Sequence, residues 1–176
     1  ERRQFFIENM DLFGSFGTSR INPFFSRRIG SGYNEVTEEN QQVPIIFGAR
    51  LNGKLDNNWR LGVMNMQTAK KDEIPAFNYS VAVLQRKMFS RSSLGLIIVN
   101  KETLSAPDSL ELAPYNRVIG VDYNLASENN NWNGKVFYHQ ALTPENADKQ
   151  FAHGAWLEYE QLNYSIRWQH SYVGEN

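Results

Sequence analysis

Apolar and polar residues alternate along most of this chain, and the alternation is clearest from Pro44 to Thr68. There Phe47, Ala49 and Leu51 interleave with Gly48, Arg50 and Asn52. After Asp56-Asn57-Asn58, Trp59, Leu61 and Val63 interleave with Arg60, Gly62 and Met64. A period of two on both sides of a short polar break predicts a β-hairpin with one apolar and one polar face. The same pattern recurs. Phe77, Tyr79, Val81 and Val83 stand against Asn78, Ser80, Ala82 and Arg86, and Leu94, Leu96 and Ile98 against Gly95, Ile97 and Val99. Ile119, Val121, Tyr123 and Leu125 oppose Gly120, Asp122 and Asn124. Trp132, Val136 and Tyr138 oppose Lys135 and His139, with Phe137 as the exception. Ala155, Leu157 and Tyr159 oppose Gly154, Glu158 and Glu160, with Trp156 on the polar side. Finally Tyr164, Ile166, Trp168 and Tyr172 oppose Ser165, Arg167, Gln169 and Ser171. Counting Asn22 to Gly30 as a first strand opened by Pro23, nine strands are expected, of the length that a tilted membrane strand needs.

The connections alternate too. Short ones at Asp56 to Asn58, Phe89 to Ser92, Ser127 to Asn131 and Gln161 to Asn163 take turns with longer ones at Ser31 to Val43, Ala69 to Ala76, Leu104 to Tyr115 and Thr143 to Gln150. Outer-membrane barrels have this rhythm, with short periplasmic turns and longer external loops. Asn57-Asn58-Trp59 is echoed by Asn130-Asn131-Trp132, each placing a tryptophan on the apolar face after a short turn. Trp59 and Trp132, with Tyr164, Trp168 and Tyr172, are therefore candidates for aromatic girdles. The fold class expected is all-β, an antiparallel up-and-down β-barrel of outer-membrane type, with residues 22–176 forming an incomplete barrel of eight to nine strands. Residues 1–21, which combine helical spacing at Phe6, Met10 and Phe13 with Gly14 and Gly17, are expected to form a periplasmic-side or plug segment.

Composition sharpens this picture. Aromatic residues make up 13% of the chain, yet mean hydropathy is −0.54, which suits strands that are apolar on one face only. A net charge of −1 offers no electrostatic case for nucleic acid. The absence of cysteine excludes disulfides, zinc-thiolate sites and cysteine nucleophiles. No apolar run reaches the roughly 18 residues of a membrane helix.

The residues ERRQFFIENMDLF, FFSRRIG and PIIFGARLNGKL with NWRLGVMNMQTA resemble bacterial proteins in which a family-9-type carbohydrate-binding module precedes a region named domain of unknown function 5916, an expected outer-membrane β-barrel. The likeness is strongest over the first 100 residues or so. It implies a sugar-binding module before Glu1, further strands after Asn176, location in the bacterial outer membrane, and the lipid bilayer and a glycan as partners. Members are often labelled hydrolases because of that module, no part of which is visible in these residues.

Candidate chemistry is sparse. Glu8 and Asp11 could share one helical face as a glycosidase acid and base, but a salt bridge is the plainer role. Of Arg27 and Arg28, which point to opposite faces of the expected strand, the lumen-facing one could pair with Glu8 or Asp11 and dock the N-terminal segment. Glu158 and Glu160 fall on the polar face, where pairing with Arg167 across the next strand is expected and a cation-selective constriction is the sharper alternative. His139, His153 and His170 lie on three strands without metal-site spacing, His153 and His170 on the apolar face. GSFG and RIGSG lack a Walker lysine, and no serine nucleophile motif occurs. No catalytic residue, metal or cofactor is expected.

Two alternatives stay open. A soluble all-β carbohydrate-binding or glycoside-hydrolase-associated domain would use the same aromatic residues as a sugar platform. Within the barrel reading, nine strands leave the first and last parallel, so either more strands follow or the weakest, Asn22 to Gly30, is not a strand. In the latter case eight strands could close by pairing Ile45 to Leu55 with Tyr164 to Val173, with residues 1–30 capping the lumen.

Overall fold

The computed structural model of the chain describes residues 10–34, 37–105, 113–144 and 150–174. A helical turn α1 (Met10–Gly14) and a single 3-10 turn (Ser26–Arg28) precede ten strands: β1 (Ser31–Asn34), β2 (Glu39–Gln42), β3 (Ile45–Lys54), β4 (Trp59–Thr68), β5 (Ala76–Met88), β6 (Ser92–Ser105), β7 (Tyr115–Ala126), β8 (Trp132–Leu142), β9 (Phe151–Gln161) and β10 (Tyr164–Val173). β1 and β2 form a small hairpin of their own. β3 to β10 make one eight-stranded antiparallel sheet in which each strand pairs with the next in sequence. The sheet is all-β and up-and-down. It is open: β3 and β10 are its edges and do not pair with each other.

Two sequence expectations change here. Asn22 to Gly30 is not a strand. The Asn22 Oδ1 accepts a hydrogen bond from the Phe24 amide at 2.9 Å, a local turn that competes with sheet pairing. Pro23 cannot donate to a ladder, and the chain then coils through the 3-10 turn. Phe24 and Ile29 are buried by this path, so their hydrophobicity serves packing and not a strand face. The polar stretch from Ser31 to Val43, expected as a loop, instead contains the β1–β2 hairpin, with Ser31 opposite Gln42 and Asn34 opposite Glu39. It has no apolar alternation to reveal it. Gly32 lies against the Ile74 side chain so closely that a Cβ would clash with it, and Ile74 is buried there.

Turn chemistry explains the repeated Asn-Asn-Trp. In the first instance Asp56 Oδ1 accepts from the amides of Asn58 (2.6 Å) and Trp59 (2.8 Å). In the second Ser127 Oγ accepts from the Trp132 amide at 2.9 Å, and Asn130 occupies the left-handed region at φ 62°. Side-chain oxygens thus satisfy the backbone where the new strand begins, and each tryptophan opens its strand in a fixed register.

That register is staggered. Trp59, the first residue of β4, is in line with Arg86, Leu94, Tyr123, Val136, Ala155 and then His170, the seventh residue of β10. The strands therefore slip by six residues over the six steps from β4 to β10. One residue of about 3.3 Å per strand spacing of about 4.8 Å tilts the strands by about 35° from the perpendicular to the line that joins in-step strand positions.

The same register separates the two faces. Leu61, Val63, Ala82, Leu84, Leu94, Leu96, Ile98, Ile119, Val121, Val136, Tyr138, Leu157 and Ile166 share one face, which nothing covers in the described residues. The other face lies beneath the N-terminal segment, where Leu12, Phe13, Phe16, Phe24 and Ile29 form a core with Met64, Met66, Val81, Val83 and Ile97. β5 reverses the expected facing. Its apolar set, Phe77, Tyr79, Val81 and Val83, points to the covered side, because Val63 pairs with Ala82 and so puts Ala82 and Leu84 on the open face. Alternation divides a strand into two faces without saying which neighbour each will meet.

Candidate functional site

The covered face has been shaped to receive the N-terminal segment. A Cβ added at Gly62 would come within 2.8 Å of Leu12 and Phe13, and one at Gly95 within 3.0 Å of the Phe16 ring. Bare backbone at these points lets the aromatic rings lie directly on the sheet. The segment is then fastened by charge. Asp122 on β7 lies opposite Phe137 on β8, with Lys135 and His139 two residues to either side on the same face, the diagonal positions from which long side chains converge. Asp122 Oδ1 accepts from His139 Nε2 at 2.8 Å, and Lys135 Nζ stands 3.3 Å from Asp122 Oδ2. That same Oδ2 accepts from the Gly17 amide at 2.6 Å. Lys135 Nζ donates to the carbonyls of Ser15 and Gly17. Asp122 is 1% exposed, His139 4% and Lys135 9%, so three ionisable groups are buried together and satisfied by one another and by the Ser15–Gly17 backbone. Gly17 has φ 68°, and a side chain there would collide with the Ile21 carbonyl.

An Asp–His pair can polarise a nucleophile; here the hydrogen bonds of the cluster run among its own side chains and to the Ser15–Gly17 backbone, which fastens that peptide segment to the sheet. Asp122, Lys135 and His139 all fell on the polar side of their alternations. Their meeting was not foreseen, although the one-face series Lys135, Phe137, His139 opposite Asp122 was the available signal. The partner, a backbone turn more than 100 residues away, left no signal at all.

The residues singled out from sequence distribute unevenly. Glu8 lies outside the described residues, and Arg27 lies in the 3-10 turn with its side chain outside them. Asp11 on α1 accepts from Arg60 Nη1 of β4 at 2.8 Å. An arginine of the sheet wall therefore holds it. Arg28 lines a cleft of about 470 Å³ with Lys101, Tyr79 and Phe25. On the other side of the segment, Asp11, Phe13, Phe24, Phe25, Arg50 and Met64 line one of about 570 Å³. Arg167 stands opposite Glu158, 3.8 Å from its carboxylate, and its guanidinium lies 4.9 Å from the centre of the Trp156 ring. Glu160 is exposed. No group of three or more metal-ligating side chains occurs among the described residues.

Aromatic side chains of the open face gather at both strand ends. Trp59, Trp132, Tyr159 and Tyr164 stand at the short-turn end, with Trp132 and Tyr159 4.7 Å apart and Tyr159 and Tyr164 6.1 Å apart. At the long-loop end Tyr138, Phe151 and Tyr172 form a chain with ring centres 5.9 and 5.5 Å apart. Trp168 sits in the middle of β10. Between the two groups, Trp168 apart, exposed aliphatic side chains line the face: Val121 is 45% exposed and Ile166 65%. Sequence reading missed one polar island on this face. Asn65 Nδ2 donates to Asn78 Oδ1 (2.9 Å) and Ser80 Oγ (2.8 Å), and Arg117 Nε donates to Asn100 Oδ1 at 2.9 Å. Comparison with known proteins found no matching family model, no similar curated protein and no similar solved structure.

Proposed function

We propose that this chain forms part of the wall of a bacterial outer-membrane β-barrel, with its N-terminal segment seated on the lumen side. The observation that carries the reading is the open face. An aliphatic band, bracketed by aromatic residues at both ends, faces outward on strands of 10 to 14 residues, while Asp122, Lys135, His139, Glu158 and Arg167, with Gly62, Gly95, Gly120 and Gly154, face the covered side. That distribution suits lipid outside and a filled lumen inside. The stagger of one residue per strand supports it, since a barrel needs strands tilted by roughly 35–45°. The side chains of the polar island on the open face hydrogen-bond to one another, which lowers the cost of facing lipid. Open edges are not tolerated in lipid, so β3 and β10 would be paired in the membrane, with each other or with further strands. Linkage to glycan binding or uptake rests on the family resemblance alone.

A soluble carbohydrate-binding domain is the competing reading, favoured by the near-parallel rings of Tyr138 and Phe151 (19°) as a platform for a sugar. Fractionation separates the two. The barrel wall should sediment with outer membranes and require detergent, with heat-modifiable mobility on gels. Recovery of the folded chain in the supernatant at low salt would refute the membrane reading. Cysteines placed within 31–43, 69–75, 106–114 and 143–150 should all label from one side of the membrane, and protection of two or more would overturn the topology.

A further inference from the structure

The open face near the long-loop end carries a pair of histidines on the last two strands. His153 on β9 is opposite Tyr172, and His170 on β10 is opposite Ala155, so the two imidazoles are diagonal neighbours on one face. Their Nε2 atoms are 3.4 Å apart while the ring centres are 5.4 Å apart, which puts the two nitrogens on facing edges. Aromatic neighbours fix both rings. His153 stacks with Phe151 at 12° and Tyr172 at 27°, and His170 with Trp168 at 16°. Neither imidazole has a carboxylate partner among the described residues, in contrast to His139.

We infer that His153 and His170 form a binding site for a divalent metal ion that prefers tetrahedral nitrogen ligation, Zn²⁺ being the ion of choice. Two imidazole nitrogens bound at about 2.0–2.1 Å to one tetrahedral Zn²⁺ stand about 3.3 Å apart. Neighbouring positions of a square-planar Cu²⁺ site at a similar bond length would bring them to about 2.9 Å, closer than this pair stands. The side chains therefore need no rearrangement beyond presenting both Nε2 lone pairs, with the protons on Nδ1. His170 is exposed, which leaves water to complete the coordination. The ion would tie β10 to β9 at an edge of the sheet. The spacing of the two nitrogens is the same whatever meets the open face, and the water ligands need only this long-loop end of it to be wet.

The test is titration of the purified folded chain with Zn²⁺ alone, and with Co²⁺ as a coloured substitute. One saturable equivalent should bind. Co²⁺ should give the intense visible absorption of a tetrahedral ion and quench Trp168, and Zn²⁺ should reverse both. His153→Ala and His170→Ala should each weaken binding at least tenfold. His153→Gln, which keeps the bulk of the ring's contacts, should do the same, with mobility and circular dichroism unchanged. Hydrogen exchange of the β10 amides should slow with Zn²⁺ in the native chain only. Absence of saturable binding, a weak octahedral Co²⁺ spectrum, or equal affinity in the histidine variants would each overturn the assignment.

Discussion

The two faces of the eight-stranded sheet solve opposite problems with neighbouring residues of the same strands. On β7, Val121 is 45% exposed while Asp122 beside it is 1% exposed. A charged carboxylate is shut away and an aliphatic side chain is left out, the inverse of what water alone would select. The carboxylate is tolerated because every partner it needs is built in: a lysine, a histidine and a backbone amide. The valine is tolerable if its surroundings are apolar. The difference teaches that burial on the covered side joins an apolar core to one specific polar cluster held by direction-dependent hydrogen bonds, whereas the open side is generic and apolar, defined by a band and its aromatic borders.

Breaking the covered side should have the largest effect. Asp122→Ala would leave Lys135 and His139 buried without their carboxylate, and loss of one partner from such a group costs roughly 3–5 kcal/mol. Chemical unfolding should record that loss, and limited proteolysis should show cleavage near Ser15–Gly17 before the strands are attacked. An unchanged stability would mean that the cluster does not hold the segment. The open side should respond less, and only in a membrane. Val121→Arg should cost roughly 2–4 kcal/mol of insertion free energy at mid-bilayer depth, read as lower folded yield in vesicles, while Gln169→Arg on the opposite face of exposed β10 should insert normally. Equal behaviour of the two variants would remove the distinction between the faces. The smallest effect belongs to Arg60→Ala. Its bond to Asp11 has side-chain exposures of 31% and 64%, and such pairs contribute at most about 1 kcal/mol. A loss comparable to that of Asp122→Ala would show that α1 is held by its rim and not by the buried cluster.

The alternation of β3, β4 and β6 to β10 could be read directly, because a period of two is a local property of the backbone and each side chain reports on its own face. The turns were equally local: Asp56 and Ser127 act within five residues. Where local chemistry was ambiguous, reading failed. The two phenylalanines Phe24 and Phe25 suggested a strand, but Asn22 and Pro23 turn the chain and only Phe24 is buried. β1 and β2 could not be seen, since their pairing is carried by backbone hydrogen bonds and not by an apolar stripe.

By itself, then, the order of residues determined that this chain would make antiparallel strands joined alternately by short and long connections, with tryptophans opening two of them. Those outcomes depend on interactions spanning a few residues. Only the tertiary structure decided which face of β5 would be covered, that Arg60 would meet Asp11, and that Asp122, Lys135 and His139 would close on Ser15 and Gly17. These depend on register, which shifts every side chain to the other face with a slip of one residue, and on a segment returning from more than 100 positions away. No period along the chain encodes either.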